Sequence, residues 1–128
     1  MSEKETIQRW VESAQEDLHV ARDLYAAKRY AYTLFFCHLT LEKYLKALYI
    51  HRFDDAPPPI HDVLFLWKKL QLPMTEEKES DLVEIKTFNV EARYDIHKHM
   101  LYKKATEGYT KSFMEKIEAM ILLIEKEL

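Results

Sequence analysis

Apolar residues recur at intervals of three and four along most of the chain, which is the spacing of one face of an α-helix. The first such stretch begins at Ile7 and continues to Tyr25, with its polar residues mostly on the other side. A second stretch, from Tyr30 to Arg52, has apolar residues around more of its circumference. The second stretch therefore predicts a helix with neighbours on several sides.

Three further helices are predicted after the second. Residues 54–59 end with three consecutive prolines and interrupt the helical pattern, and Asp62 is then placed to cap a short helix. Pro73 ends that helix, and Thr75 followed by two glutamates has the composition of another helix N-terminus. The last predicted helix carries an apolar stripe from Tyr109 to Leu128. These patterns predict an all-α protein.

Composition limits the kind of protein this is. The 128 residues contain only one glycine and four prolines, so the chain has few places to break, and residues 1–128 are predicted as a single domain. Cys37 is the only cysteine, which excludes an intrachain disulfide and fits a reducing compartment. No apolar run approaches the ~20 residues of a membrane span, and the N-terminus is charged. We expect a cytoplasmic protein that does not bind membranes.

Positive charge is concentrated in one segment of an acidic chain. The formal net charge is -3, which argues against a generally basic nucleic-acid binder. Residues 93–104 carry +3, which leaves the remainder at -6. Charges this close act together on a polyanion, so the segment predicts either a local phosphate site or an ordinary solvated turn between the fourth and fifth helices. The charges come from Arg93, Lys98, Lys103 and Lys104 against Asp95.

Two histidines, His97 and His99, lie in the same segment. Alternate histidines can chelate a metal, but Zn²⁺ sites require three or four ligands and the spacing identifies no third. We therefore predict neither a metal nor a cofactor. His38 lies on the apolar pattern of the second helix, where a hydrogen-bonded core histidine is expected. His61 is expected to cap or buttress the turn beside the prolines.

Several motifs, in this order and spacing, resemble the HEPN domain, the nucleotide-binding module of higher eukaryotes and prokaryotes. The resemblance extends from about Trp10 to Leu128 and implies an all-α, up-and-down bundle of four to five helices that usually forms a homodimer. The motifs are Trp10, Ala14-x-x-Asp17-Leu18-x-x-Ala21, Cys37-His38-Leu39-x-Leu41-Glu42-Lys43-x-Leu45-Lys46-Ala47-Leu48, Pro59-x-His61 and Glu91-Ala92-Arg93-Tyr94.

The resemblance implies two alternative functions. Small prokaryotic members are often encoded beside a minimal nucleotidyltransferase as toxin and antitoxin, which suggests a dimer that binds a nucleotide or a protein partner. Other members are metal-independent endoribonucleases, whose signature is an arginine followed after four to six residues by a histidine. Arg93 and His99 are separated by five residues and meet that spacing, whereas His97 does not. In the family, two copies of the motif form one composite cleft across the dimer axis.

The chemistry of RNA cleavage matches these residue types. Histidine transfers protons near neutral pH, and a guanidinium stabilises the charged phosphorane. Arg93 and His99 are therefore the candidate catalytic residues, with Glu42 as a candidate to orient the guanidinium. Phosphate contacts are expected from Arg93, Tyr94, Lys98 and Lys103.

Two further residues bear on these expectations. Some toxin members carry a tyrosine two residues after the histidine, which the nucleotidyltransferase modifies with AMP. Tyr102 lies three residues after His99, so the resemblance does not assign it this role. Glu42 and Lys46 are four residues apart, in the order that favours an ion pair along a helix.

Overall fold

The computed structural model describes residues 1–90 and 95–128, and it confirms the all-α prediction. The described residues contain no strand. None of these helices combines the length and apolar character that a membrane crossing requires. In chain order they are α1 (Glu3–Ala26), α2 (Tyr30–Phe53), α3 (Val63–Lys69), α4 (Glu76–Lys86), α5 (Asp95–Lys104) and α6 (Glu107–Glu127).

Helices α1 and α2 form an antiparallel hairpin. Their connection contains Lys28 in the left-handed region at φ 62°, which turns the chain back within a few residues. The Lys43 ammonium on α2 lies 2.6 Å from the Asp17 carboxylate and donates to the Ser13 hydroxyl at 2.7 Å. These contacts fix how far α2 can slide along α1.

Helix α2 is the centre of the domain. Fifteen of its 24 residues are buried, which confirms the prediction of a helix with neighbours on several sides. Helices α1, α3, α5 and α6 all contact it. Because its apolar residues surround most of the helix, no single neighbour can cover them.

Helices α3 and α4 begin at the predicted caps. The Asp62 carboxylate accepts a hydrogen bond from the Phe65 N–H at 3.0 Å, and the Thr75 hydroxyl accepts one from the Lys78 N–H at 3.1 Å. Each cap satisfies an N–H group that the helix itself leaves free. Between the two helices, the buried Trp67 indole donates to the Pro73 carbonyl at 3.0 Å.

Helix α6 covers α2 with the stripe predicted from the sequence. Phe113, Ile117 and Ile124 are among its buried residues, whereas Leu128 at the chain end is partly exposed. Arg52, in the last turn of α2, donates to the Leu70 carbonyl and lies 2.7 Å from the Glu127 carboxylate. This guanidinium therefore joins the ends of α2, α3 and α6.

Helix α5 is the main difference from the predicted architecture. The sequence predicts four to five helices and an interhelical turn at residues 93–104, whereas the described residues form six helices and 95–104 is helical. Within α5 only Leu101 is buried, so the segment lacks the repeating apolar stripe by which the other helices are recognised. Ile96 and Met100 are apolar but largely exposed.

Candidate functional site

Helix α5 is fixed to the bundle mainly by its C-terminal half. Leu101 and the following Ala105 are buried. The Tyr102 ring packs edge-on against Tyr32 of α2, with ring centroids 6.0 Å apart. The N-terminal half, by contrast, has most of its side chains exposed. The polar residues of interest therefore lie on the outer surface of a helix whose far end is anchored.

The structure brings two of the predicted site residues together on this surface. His99 and Lys103 are both exposed and lie one helical turn apart, so they share a face of α5. Lys98 is half-buried on the adjoining face, and His97 is exposed. The expected roles of Arg93 and Tyr94 lie outside the described residues, as do the adjacent Glu91 and Ala92.

Lys104 differs from the other lysines of α5 because it holds the helix in place. Its ammonium lies 2.8 Å from the Glu84 carboxylate of α4, and the same carboxylate accepts a hydrogen bond from the Tyr109 hydroxyl of α6. Burial alone would raise the pKa of Glu84, but the hydrogen bonds from Lys104 and Tyr109 outweigh it and lower that pKa. Burial, reinforced by the Glu84 carboxylate, raises the pKa of Tyr109. Lys104 is thus paired within the fold.

Tyr102 is exposed, but its hydroxyl is not activated. The hydrogen bond with Tyr32, together with slight burial, raises the pKa of Tyr102. A raised pKa makes the phenolate less accessible near neutral pH. The raised pKa therefore does not favour Tyr102 as a nucleophile.

A small pocket connects α5 to the end of α4. It has a volume of about 100 Å³ and is lined by Thr87 from the chain after α4 and by His97, Met100, Leu101 and Lys104 from α5. Among the described residues, no group of three histidine, cysteine, aspartate or glutamate side chains is arranged to hold a metal.

Glu42 lies in a group of charged and polar residues from α2 and the connection that follows it, most of which are buried. We use the name Glu42 cluster for Glu42, Lys46, His38 and His61. Glu42 and Lys46 are 4% and 6% exposed, respectively, and the Lys46 ammonium lies 3.1 Å from the carboxylate. The expected ion pair is therefore present, and it is buried. Lys46 also lies 5.7 Å from the centroid of the Trp10 ring, which provides a second favourable contact for its charge.

The two histidines of the Glu42 cluster join the proline-rich connection to α2. His61 Nδ1 lies 3.0 and 3.2 Å from the two carboxylate oxygens of Glu42. His38 is fully buried, and its Nε2 lies 3.3 Å from the His61 carbonyl oxygen, to which it donates. His38 is thus a hydrogen-bonded core histidine and His61 buttresses the connection, as expected.

The contact between His61 and Glu42 is not apparent from the sequence. The two residues are 19 positions apart and belong to different elements, so no helical or strand period relates them. The sequence did carry one indication, because Glu42 and Lys46 interrupt a helix that is otherwise apolar around most of its circumference. The expected interaction of Glu42 with Arg93 lies outside the described residues.

Comparison with protein families matches residues 7–127 to the HEPN domain. The chain belongs to the HEPN domain family. A similar solved structure is the crystal structure of TT1696 from Thermus thermophilus, which superposes with a TM-score of 0.79 at 18% sequence identity. The alignment covers 95% of this chain and 98% of that one, so the two proteins share the HEPN fold throughout. No curated protein matches the chain.

The burial of the Glu42–Lys46 pair predicts a large effect of removing one partner. Glu42→Ala leaves the Lys46 ammonium buried without its carboxylate, and it should lower the free energy of unfolding by about 3–5 kcal/mol in urea denaturation. As a matched control, Glu79→Ala removes the exposed Lys68–Glu79 pair at 3.4 Å and should cost at most about 1 kcal/mol. A loss for Glu42→Ala no larger than for Glu79→Ala would show that the buried pair is dispensable.

Proposed function

We propose that this chain is a cytoplasmic HEPN homodimer that binds the phosphate groups of a nucleotide or an RNA through α5. The observation that supports this proposal best is the exposed polar face of α5, where His99 and Lys103 lie one turn apart. Arg93 and Tyr94 precede this helix in the sequence and are proposed to complete the site, together with Lys98.

Charge favours α5 over other surfaces of the chain. Its three lysines and one aspartate give the helix a charge of +2, while the chain as a whole carries -3. Lys104 is paired with Glu84, which leaves Lys98 and Lys103 to face a ligand. A phosphate group binds best where hydrogen-bond donors and positive charge coincide, and lysine and histidine side chains supply both.

A second function, metal-independent RNA cleavage, is proposed as the alternative. It is favoured by the exposure of His99, which leaves the imidazole accessible to a substrate. In this mechanism His99 transfers the proton of the attacking 2'-hydroxyl or of the leaving oxygen, and Arg93 stabilises the phosphorane. Glu42 is the proposed partner that orients Arg93.

Dimerisation fits the apolar residues beside the polar face. Ile96 and Met100 are 67% and 60% exposed and lie one turn apart on α5. A two-fold axis that passes beside α5, next to Ile96 and Met100, would pair the two copies of α5, cover both side chains and place two copies of the basic face near each other.

The RNA-binding proposal is tested with a labelled single-stranded RNA and the purified protein. His99→Ala and Lys103→Ala should each weaken binding about five- to tenfold, because each removes one phosphate contact. Lys126→Ala, an exposed lysine at the far end of α6, is the control.

If the protein is a nuclease, Arg93→Ala and His99→Ala should lower the cleavage rate by about 100- to 10,000-fold.

Further results of this experiment separate the two functions. Cleavage by the wild-type protein should persist in EDTA and produce 2',3'-cyclic phosphate ends, and His97→Ala should have a much smaller effect than His99→Ala. RNA that is bound but left intact supports the non-cleaving function. Binding that no α5 substitution weakens would contradict the proposed role of α5.

The dimer is tested by light scattering, which should give twice the 15.4 kDa chain mass at micromolar concentration. A stable interface should bury more than ~1,000 Å². Met100→Glu should produce monomers because it places a charge in the proposed interface. Leu122→Glu is the matched control, since Leu122 on α6 is 61% exposed, nearly the same as Met100. A monomeric wild-type protein would exclude this assembly.

We further propose that the protein partner is a minimal nucleotidyltransferase in a toxin–antitoxin pair. An acidic surface on that partner would complement α5 and make association fast and sensitive to salt. The two proteins should therefore co-purify after co-expression at low salt, and Lys98→Glu with Lys103→Glu should release the nucleotidyltransferase. If this chain and the nucleotidyltransferase form no complex at low salt, the proposed partnership is rejected.

A further inference from the structure

His61 is held more firmly than its position in a connecting segment suggests. Its ring nitrogen Nδ1 contacts both oxygens of a buried carboxylate, and its carbonyl oxygen accepts from the buried His38. Because Nδ1 faces Glu42, the proton of a neutral ring lies on Nδ1 and the lone pair on Nε2. The same arrangement of a buried carboxylate and a histidine orients the imidazole in acid–base catalysts.

The opposite edge of the ring is accessible. The His61 side chain is 61% exposed, although its partner Glu42 is buried. Such a ring is fixed on one side and open to a ligand on the other. A histidine that only filled space in the core would be largely buried, whereas His61 is not.

The charges around His61 permit an anion to approach. Lys46 balances the Glu42 carboxylate at 3.1 Å, and Lys86 lies 3.2 Å from the Asp62 carboxylate. Asp62 also accepts from the Phe65 N–H. Burial would raise the pKa of Asp62, but this hydrogen bond and Lys86 outweigh burial and lower it. Both nearby carboxylates are therefore compensated by lysine ammonium groups, and a phosphate oxygen accepts from Nε2 of an imidazole ring that carries protons on both nitrogens.

A chain of contacts joins His61 to the α5 surface. The residue after His61 is Asp62, which pairs with Lys86 at the end of α4. The next residue, Thr87, lines the small pocket together with His97 of α5. Asp62, the neighbour of His61, and His97 of α5 are therefore both connected to the C-terminal end of α4.

We infer that His61 contacts the phosphate group of the ligand bound at α5, and that Glu42 is the residue that positions it. This inference rests on the proposed function and extends it to a residue outside α5. The ligand chemistry is a phosphate ester, either the terminal phosphate of a nucleotide or the phosphodiester of an RNA.

The test makes the same substitution at His61 and at a control histidine, each in the 128-residue chain. Asn places an amide where Nδ1 lies, so His61→Asn keeps a donor for Glu42 but removes the exposed Nε2 edge. It should weaken the affinity for 5'-AMP, for a short single-stranded RNA, or for both by about tenfold, with an unchanged unfolding midpoint. The affected probe identifies the ligand. His51→Asn, an exposed histidine elsewhere on α2, should leave both affinities unchanged.

The positioning role of Glu42 has its own measurement. Glu42→Gln should weaken the same affinity in the wild-type background but have no further effect in His61→Asn, because the two residues act as one unit. In addition, the wild-type His61 ring signal in NMR, assigned by its absence from His61→Asn, should shift when the bound probe is added.

The outcomes distinguish this inference from the proposed function. If Lys103→Ala weakens binding but His61→Asn does not, the role of His61 is rejected and that of α5 stands. A His61 ring signal that does not respond to a bound probe also rejects it. Wild-type protein that binds neither 5'-AMP nor RNA overturns both.

Discussion

The structure depends on one constraint, which is that α2 has to be covered on nearly all sides. Its fifteen buried residues surround most of the helix, and burying one large apolar side chain contributes roughly 1.5–3 kcal/mol. No single neighbour can supply that contact, so α1, α3, α5 and α6 are all required around it. The positions of these four helices follow, and the end of α5 near Tyr32 is set in the same way, whereas α4 packs on α3.

Glu42 and Lys46 are buried in α2 although both side chains are charged. A buried ion pair usually contributes little net stability, because the desolvation of both charges offsets their attraction, although removing one partner is costly. The net stability that the pair contributes thus does not explain why α2 carries two charged residues in the core. It does explain how the connection after α2 is fixed, since Glu42 is the carboxylate that His61 contacts. Charge here determines the position of a polar side chain and adds little to the total stability.

Sequence patterns predicted the elements whose signals are local. The stripes of α1, α2 and α6 extend over many turns, and the caps at Asp62 and Thr75 depend on residues three positions apart. Helix α5 was missed because only Leu101 among its ten residues is buried, so the segment lacks a repeating apolar stripe. Its stability comes from non-local contacts such as that of Lys104 with Glu84, 20 positions earlier. Non-local contacts also explain why His99 and Lys103 were predicted as candidate site residues but not as neighbours on one helical face, and why His61 was predicted as a buttress without its partner Glu42.

The HEPN fold alone indicates less about the function of this chain than the individual side chains of α5 do. A structure that is 18% identical establishes how the chain folds, while binding and catalysis depend on particular groups placed on that fold. The adjacent residues Lys103 and Lys104 illustrate the difference between a group used by the fold and a group available for binding. Lys104 is used by the fold, because Glu84 holds it, whereas Lys103 is exposed beside His99. Counting positive charges along the sequence treats the two alike. Their different surroundings in the structure separate the charge that stabilises α5 from the charge that is proposed to attract a phosphate.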